Sequence, residues 1–348
     1  MKTSLWLLFT LFAAAIVPAN GQLHPWFLQN RGYFDALLAD PRAAQTQVMF
    51  PAVSDSFQYA VNARRGLVWD ISLGHEVPVL GWETSRSAKP NGVPAGAFGF
   101  GIWFPISFHM IEDLGKDPSN PILNTDYRFS GMLKAQVGLP DHWAGTTDSH
   151  IGLKFQFGHE STHIGDEFTI NALRLNGNQF LRVNVSYEYY DLGGSFEPNF
   201  GRQQWKFRGG DIWLWHPDKG WYSRDLLQPF GKFIAGSKRN HEPYGGVELF
   251  VEPKNGTGLG FIGSLDVRNR TIYQYNIVPS IAFTNKPEPT QVSVNLMGGV
   301  RQIRQGPGFL GRIQPTYYLR YYHGVNPNGQ FRNQSNYTLF GFGVHFGF

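Results

Sequence analysis

Asn336–Phe348 reads NYTLFGFGVHFGF, and this stretch decides the fold. Successive side chains of an extended strand point to opposite faces. Thr338, Phe340, Phe342, Val344, Phe346 and Phe348 therefore share one face, while Leu339, Gly341, Gly343, His345 and Gly347 share the other. On an edge strand in water, such a row of phenylalanines would template aggregation. Against lipid it carries no such penalty. The segment predicts the wall of a membrane barrel.

The same period recurs upstream. Tyr127, Phe129, Gly131, Leu133, Ala135 and Val137 alternate with Arg128, Ser130, Lys134 and Gln136. Ile151, Leu153, Phe155 and Phe157 alternate with Gly152, Lys154 and Gln156. Leu181, Val183, Val185, Tyr187 and Tyr189 form an apolar face opposite Arg182, Asn184, Ser186 and Glu188, and Val292, Val294 and Leu296 alternate with Ser293 and Asn295. Further strands are expected near 67–75, 95–109, 205–215, 245–252, 258–268, 274–283 and 312–322. Turn-forming stretches such as Pro253-Lys254-Asn255-Gly256 and Asn326-Pro327-Asn328-Gly329 separate them. The count comes to about twelve, an even number as single-chain bacterial barrels have; ten or fourteen remain open, because 44–60 and 225–236 are ambiguous.

Composition agrees. Aromatics make up 16% of the 348 residues and charged groups only 16%, yet mean hydropathy is −0.28. Beyond the N-terminus no apolar run approaches the roughly 20 residues of a spanning helix. A chain this aromatic and this non-hydrophobic hides its apolar residues by alternation. There are no cysteines, which excludes disulfide scaffolds, cysteine chemistry and a lipidated N-terminal cysteine. The formal net charge is +4, without a Lys/Arg run, so no nucleic-acid footprint is present.

Residues 1–21 read as an export signal: Lys2, the short apolar core Leu5–Ile16, Pro18, and small residues at Ala19-Asn20-Gly21. Residues 22–65 are expected to form a periplasmic lead-in or a plug, and 66–348 the outer-membrane barrel. The class is all-β: a transmembrane antiparallel β-barrel of about twelve strands. Arg128, Lys134, Arg182, Glu188 and Arg320 are expected to point inward, either lining a pore or forming a packed, paired network; a barrel of this size permits both.

Three stretches carry a resemblance to a family of bacterial outer-membrane proteins of unknown function: Leu38-Ala39-Asp40-Pro41-Arg42, Gly158–Glu167 (GHESTHIGDE), and Tyr321-Tyr322-His323-Gly324 with Pro327-Asn328-Gly329-Gln330-Phe331. The resemblance implies an outer-membrane barrel in contact with lipid and brings no activity with it. The aromatic C-terminal strand also resembles the signal read by the bacterial barrel-assembly machinery, which is therefore an expected partner.

GHESTHIGDE invites chemistry. His159-Glu160-Ser161-Thr162-His163 spells the H-E-x-x-H of zinc peptidases, but that motif needs a helix. Here it continues a strand, where four residues span about 13 Å, too far for two ligands of one ion. A second reading pairs His159 with Ser161, two apart and thus on one strand face. A serine beside a histidine is the minimum for acyl transfer. This is similar to the outer-membrane phospholipases, which use a His-x-Ser pair outside a twelve-stranded barrel, an orienting asparagine and calcium. The resemblance implies Asn171 as orienter, with Asn176 and Asn178 as substitutes, and Asp166 and Glu167 as calcium oxygens. In the twelve-segment count the strand bearing His159 runs toward the periplasm, placing the pair at the inner leaflet. The third reading is structural, a loop anchor at the membrane boundary. The leading expectation is a structural or small-solute channel barrel without catalysis or cofactor; the alternative is a serine acyl hydrolase acting on membrane lipids.

Overall fold

In an apolar medium, alternating strands satisfy every backbone group by pairing until the sheet closes on itself. A computed structural model of the chain shows that closure. It describes residues 22–25, 33–54, 66–85, 93–114, 121–140, 143, 146, 148–166, 185–215, 241–272, 290–304, 313–332 and 335–347. The strands are β1 (Gln22–Pro25), β2 (Thr46–Ser54), β3 (Gly66–Glu83), β4 (Phe98–Asp113), β5 (Ile122–Gly138), β6 (His150–Ile164), β7 (Val185–Glu197), β8 (Asn199–Phe200), β9 (Gln203–Trp215), β10 (His241–Val251), β11 (Gly258–Thr271), β12 (Thr290–Ile303), β13 (Gln314–Gly324) and β14 (Tyr337–Gly347). Consecutive wall strands pair antiparallel, and β14 closes onto β2 with Phe342 opposite Phe50. The wall has twelve strands. β1 lies on the part of β3 that β2 leaves uncovered, Gln22 opposite Glu83, and β8 folds onto the start of β9.

The outer face is a continuous apolar band. Leu133, Phe129, Ile151, Leu153, Phe155, Phe157, Leu319, Phe340 and Phe342 are all exposed there. On β5 the band runs from Tyr127 to Val137, ten steps or roughly 33 Å of strand at about 3.3 Å each. At a tilt of about 40° that is a height of roughly 25 Å, the hydrophobic thickness such barrels present to lipid.

The number of strands matches the sequence expectation, but their membership does not. The wall takes in Thr46–Ser54, which the sequence reading left in the 22–65 segment. The expected strand 274–283 lies outside the described residues, as do the export signal 1–21, Arg182 and Phe348. Thr46–Ser54 joins the wall ahead of β6 and makes β6 its fifth strand instead of its fourth, which reverses the direction of β6. The end of β6 that carries His159–Ile164 therefore lies at the rim where β14 begins, opposite the rim where β14 ends. The former carries the longer connections, 165–184, 216–240 and 272–289 among them; the latter carries tighter ones such as 198–202 and 252–257.

A second correction concerns β7. Tyr187 and Tyr189, expected on the lipid face, point inward and are buried at 1% and 5% exposure, while Tyr190 and Leu192 point out. The inversion gives these two phenol groups partners. Tyr187 and Tyr189 hydroxyls find hydrogen-bond donors inside, and lipid offers none. Glu188 accordingly faces outward, against the expectation. Arg128, Lys134 and Arg320 are buried in the lumen as expected.

Much of the lumen is occupied by the chain itself. Residues 33–45 run inside it as an irregular segment, packing Leu38 and Ala39 into the main apolar cluster with Met49, Val53, Tyr187 and Leu339. From the long-loop rim, the β13–β14 connection folds inward through a single turn of 3-10 helix, Gly329–Phe331. Phe331 is fully buried there. Below segment 33–45, toward the short-turn rim, lies a cavity of about 470 Å³, lined by Trp103, Lys206, Arg301 and His345 among others.

Candidate functional site

The three stretches that carry the family resemblance are far apart in sequence, and the structure brings them together inside the barrel. Alternation on β6 splits GHESTHIGDE in two: Glu160 and Thr162 turn inward with no exposure, while His159, Ser161 and His163 turn outward. The motif thus serves two different surfaces.

On the inner surface Glu160 is the hub. Its Oε2 accepts from Arg42 Nη2 at 2.7 Å and from Arg128 Nε at 2.9 Å. Arg128 is its cross-strand neighbour on β5, whereas Arg42 arrives from segment 33–45. Arg42 also donates to the Tyr187 hydroxyl at 3.0 Å, and Arg332 donates to the same oxygen at 3.0 Å. Arg332 pairs with Glu242 at the start of β10, whose Oε1 also accepts from the Thr271 N–H at 3.0 Å. Arg42 Nη1 stands 3.5 Å from the other Glu242 oxygen. The third resembling stretch closes the group: the Gly329 N–H donates to Asp126 at 3.2 Å. A methyl group on Gly329 would strike Thr162 at 2.4 Å, so only glycine brings the turn this close to β6.

Segment 33–45 is held along its whole length. Leu38 N–H donates to Glu248 at 2.6 Å and Ala39 N–H to Ser264 at 3.1 Å; Asn295 Nδ2 donates back to the Ala39 carbonyl at 2.5 Å. Asp40 pairs with Arg268, which also binds Asp266 at 2.6 Å. Burial works against the ionised Asp40 carboxyl, but Arg268, Lys154 and the Arg42 N–H hold it below its ordinary value. Tyr33 bonds to Glu83 near the other rim. Buried charges persist when paired and hydrogen-bonded, and here the pairing partners of the wall are supplied by the plug.

On the outer surface, Ser161 Oγ lies 3.2 Å from His163 Nε2, and Tyr127 packs edge-on against that imidazole with ring centroids 5.8 Å apart. Acyl transfer as expected from the sequence pairs Ser161 with His159 and leaves His163 out, yet His163 is within hydrogen-bond distance of Ser161. His159 faces Glu188 of β7 at 3.4 Å. These polar groups sit where the apolar run Ile151–Phe157 of β6 ends, at the long-loop rim. The strand reversal thus removes the inner-leaflet placement expected from sequence. Asn171, its substitutes Asn176 and Asn178, and Glu167 lie outside the described residues; Asp166 is described and exposed. Among the described residues no group of three or more acidic, histidine or cysteine side chains is arranged to hold a metal ion.

Sequence reasoning missed the inner site. Its hub, Glu160, was visible only as the second letter of a misleading motif, and its partner Arg42 lies 118 positions away. The signal that pointed to it was the resemblance itself, carried by Leu38–Arg42, Gly158–Glu167 and Tyr321–Phe331.

Comparison with known proteins gives a match to a family described as "Protein of unknown function (DUF1207)" over residues 15–227, more than half of the chain. No curated protein matches in sequence. Among solved structures, the outer membrane phospholipase A from Escherichia coli is similar at 12% identity, TM-score 0.44, covering 91% of this chain and 95% of that one. The COG4313 outer membrane channel from Pseudomonas putida F1 is similar at 12% identity, TM-score 0.43, with 91% and 98% covered. The transport unit of the autotransporter AIDA-I from Escherichia coli gives 12% identity, TM-score 0.40, with 91% and 94% covered.

Proposed function

This chain belongs to the DUF1207 family of proteins of unknown function, and we propose that it is an outer-membrane barrel of the small-solute channel type that performs no catalysis and whose resting lumen is stopped by its own segment 33–45. The observation that carries the reading is that segment's anchorage. Its backbone and side chains bond to inward groups of β3, β5, β6, β7, β9, β10, β11 and β12. A structural barrel can pack its lumen with wall side chains alone. Charged, directional bonds to a non-wall segment instead make two states, seated and released, differing by a set of breakable ion pairs. The 470 Å³ cavity beneath the segment is room on the near side of such a gate.

The outer-membrane setting rests on the height of the apolar band and on the loop asymmetry, since short turns of such barrels face the periplasm and long loops the exterior. The barrel-assembly machinery then acts on the β14 edge.

The test is single-channel recording in planar bilayers. The parent is expected to be closed, with rare openings, and Arg268→Gln, which cuts the tie to Asp40, to open far more often. If neither protein conducts while both show the heat-dependent gel mobility of a folded barrel, the channel reading is wrong and a purely structural barrel stands.

One observation favours a second reading, the Ser161–His163 hydrogen bond on the outer wall. Nucleophile and base face the lipid boundary from the long-loop side, as a serine acyl hydrolase acting on membrane lipids requires. Calcium-dependent ester hydrolysis by the folded barrel in micelles, lost in Ser161→Ala, would replace the channel reading with that one. His159→Ala is the matching variant for the pairing expected from sequence.

A further inference from the structure

Arg270 sits one residue from the upper end of β11 and points into the lumen, 1% exposed. Its Nε, Nη1 and Nη2 are all buried, and none has a hydrogen-bond partner among the described residues. Every other arginine around it is engaged. Arg332 and Arg42 share the Tyr187 hydroxyl, Arg332 pairs with Glu242, and Arg42 and Arg128 share Glu160. The group thus holds four guanidiniums, Arg42, Arg128, Arg270 and Arg332, against the two carboxylates Glu160 and Glu242. Two further carboxylates stand near: Asp266, two positions before Arg268 on the same strand face, interacts electrostatically with Arg270 but is paired with Arg268 at 2.6 Å, and Asp126 is 3.9 Å from Arg128 and is also drawn to His109 at 3.7 Å. Arg42 Nη1 makes no hydrogen bond among the described residues and meets a carboxylate only at 3.5 Å, on Glu242.

A buried guanidinium with no acceptor is among the costliest arrangements a protein can hold. A guanidinium also cannot escape by losing its proton. The unmet demand here is specific: a forked donor and a local surplus of positive charge, at the long-loop end of the lumen. We propose that the upper lumen binds a small oxyanion, of the phosphate, sulfate or carboxylate kind, with Arg270 as its main donor and Arg42 and Arg332 supplying the surrounding field. The fork of a guanidinium fits two oxygens of such an anion at once. The site deepens the channel reading, because it names the class of solute that the outer mouth would concentrate. It depends on that reading only for what happens to the anion afterwards.

Binding is therefore tested without transport. The refolded chain in micelles is melted with millimolar inorganic phosphate against chloride at equal ionic strength. The parent is expected to show a saturable rise in its midpoint of roughly several degrees. Arg270→Gln removes the stranded charge, so it is expected to melt higher than the parent without phosphate and to show no saturable rise. Arg301→Gln, in the cavity on the far side of segment 33–45, keeps the rise. Equilibrium dialysis of the parent with labelled phosphate, competed by sulfate, reads occupancy directly and needs no variant. A parent that binds no phosphate and shows no saturable shift overturns the proposal, as does an Arg270→Gln protein that retains both. A protein that binds phosphate but never conducts keeps the site and refutes the channel.

Discussion

The two faces of β6 obey the same alternation and answer to different physics. Outward, Ile151, Leu153, Phe155 and Phe157 are interchangeable in kind, since lipid asks only that a side chain be apolar. Inward, Lys154, Gln156 and Glu160 each have a particular partner: Asp191 at 2.7 Å, Ser130 at 2.8 Å, and the Arg42–Arg128 pair. The outer face is a solvent property and the inner face is a set of assignments. Substitutions should therefore be judged by depth on one side and by partner on the other.

The largest effect is expected inside. Glu160→Ala strands two buried guanidiniums, so unfolding in micelles should lose about 3–5 kcal/mol. Glu160→Gln keeps an acceptor and should lose less. If Ala and Gln prove equal and mild, the inner face is filler and the contrast between the faces collapses. Next comes the outer face: Leu133→Arg, in the middle of the band on β5, should lose about 2–4 kcal/mol, measured the same way, whereas an arginine at Tyr127, at the edge of the band, should lose roughly 0–1. Equal losses at the two depths would mean that the band is not seated in lipid as its height implies.

This contrast also explains what could be read from sequence. Tyr127–Val137 and Asn336–Phe348 are legible because one face does nothing but meet lipid. Thr46–Ser54 is illegible for the opposite reason. Its inward Met49 and Val53 are buried against the plug and β14, so both faces are apolar and the period vanishes, and Pro51 in its middle lacks the N–H that a ladder needs. On β7 the period was visible but its sense was not, because tyrosine reads as apolar until a partner such as Arg42 is found for its hydroxyl. The inner site depends on pairs like Arg42–Glu160, which closure of the barrel creates and local pattern does not record.

A third prediction acts on the tie between plug and wall. Asp40 is held below its ordinary pKa by Arg268, Lys154 and the Arg42 N–H against the effect of burial. A carboxyl whose folded value is depressed contributes stability that is fully present above its unfolded value, near 3.9, and is lost as pH falls through the folded value. Acidification below about pH 4 should therefore loosen segment 33–45, read as faster cleavage at residues 33–45, relative to an unfolded substrate at the same pH, by one protease active in acid and one active at neutral pH, while the barrel keeps its gel mobility. Asp40→Asn should cleave quickly at neutral pH as well and lose the pH step. Cleavage that is independent of pH in both proteins would detach Asp40 from the anchorage.

The smallest effect is expected at the outer rim. Ser161 touches His163 at the surface, and removing a half-exposed hydroxyl there should change stability by no more than about 0.5 kcal/mol. That near-silence is what makes Ser161→Ala informative. Any loss of ester hydrolysis in this variant cannot be blamed on unfolding, and it would show that the outer face carries one assignment of its own, beside the lipid. Unchanged behaviour in every assay would leave the face uniform, with the Ser161–His163 bond merely marking where the apolar band gives way to the polar rim.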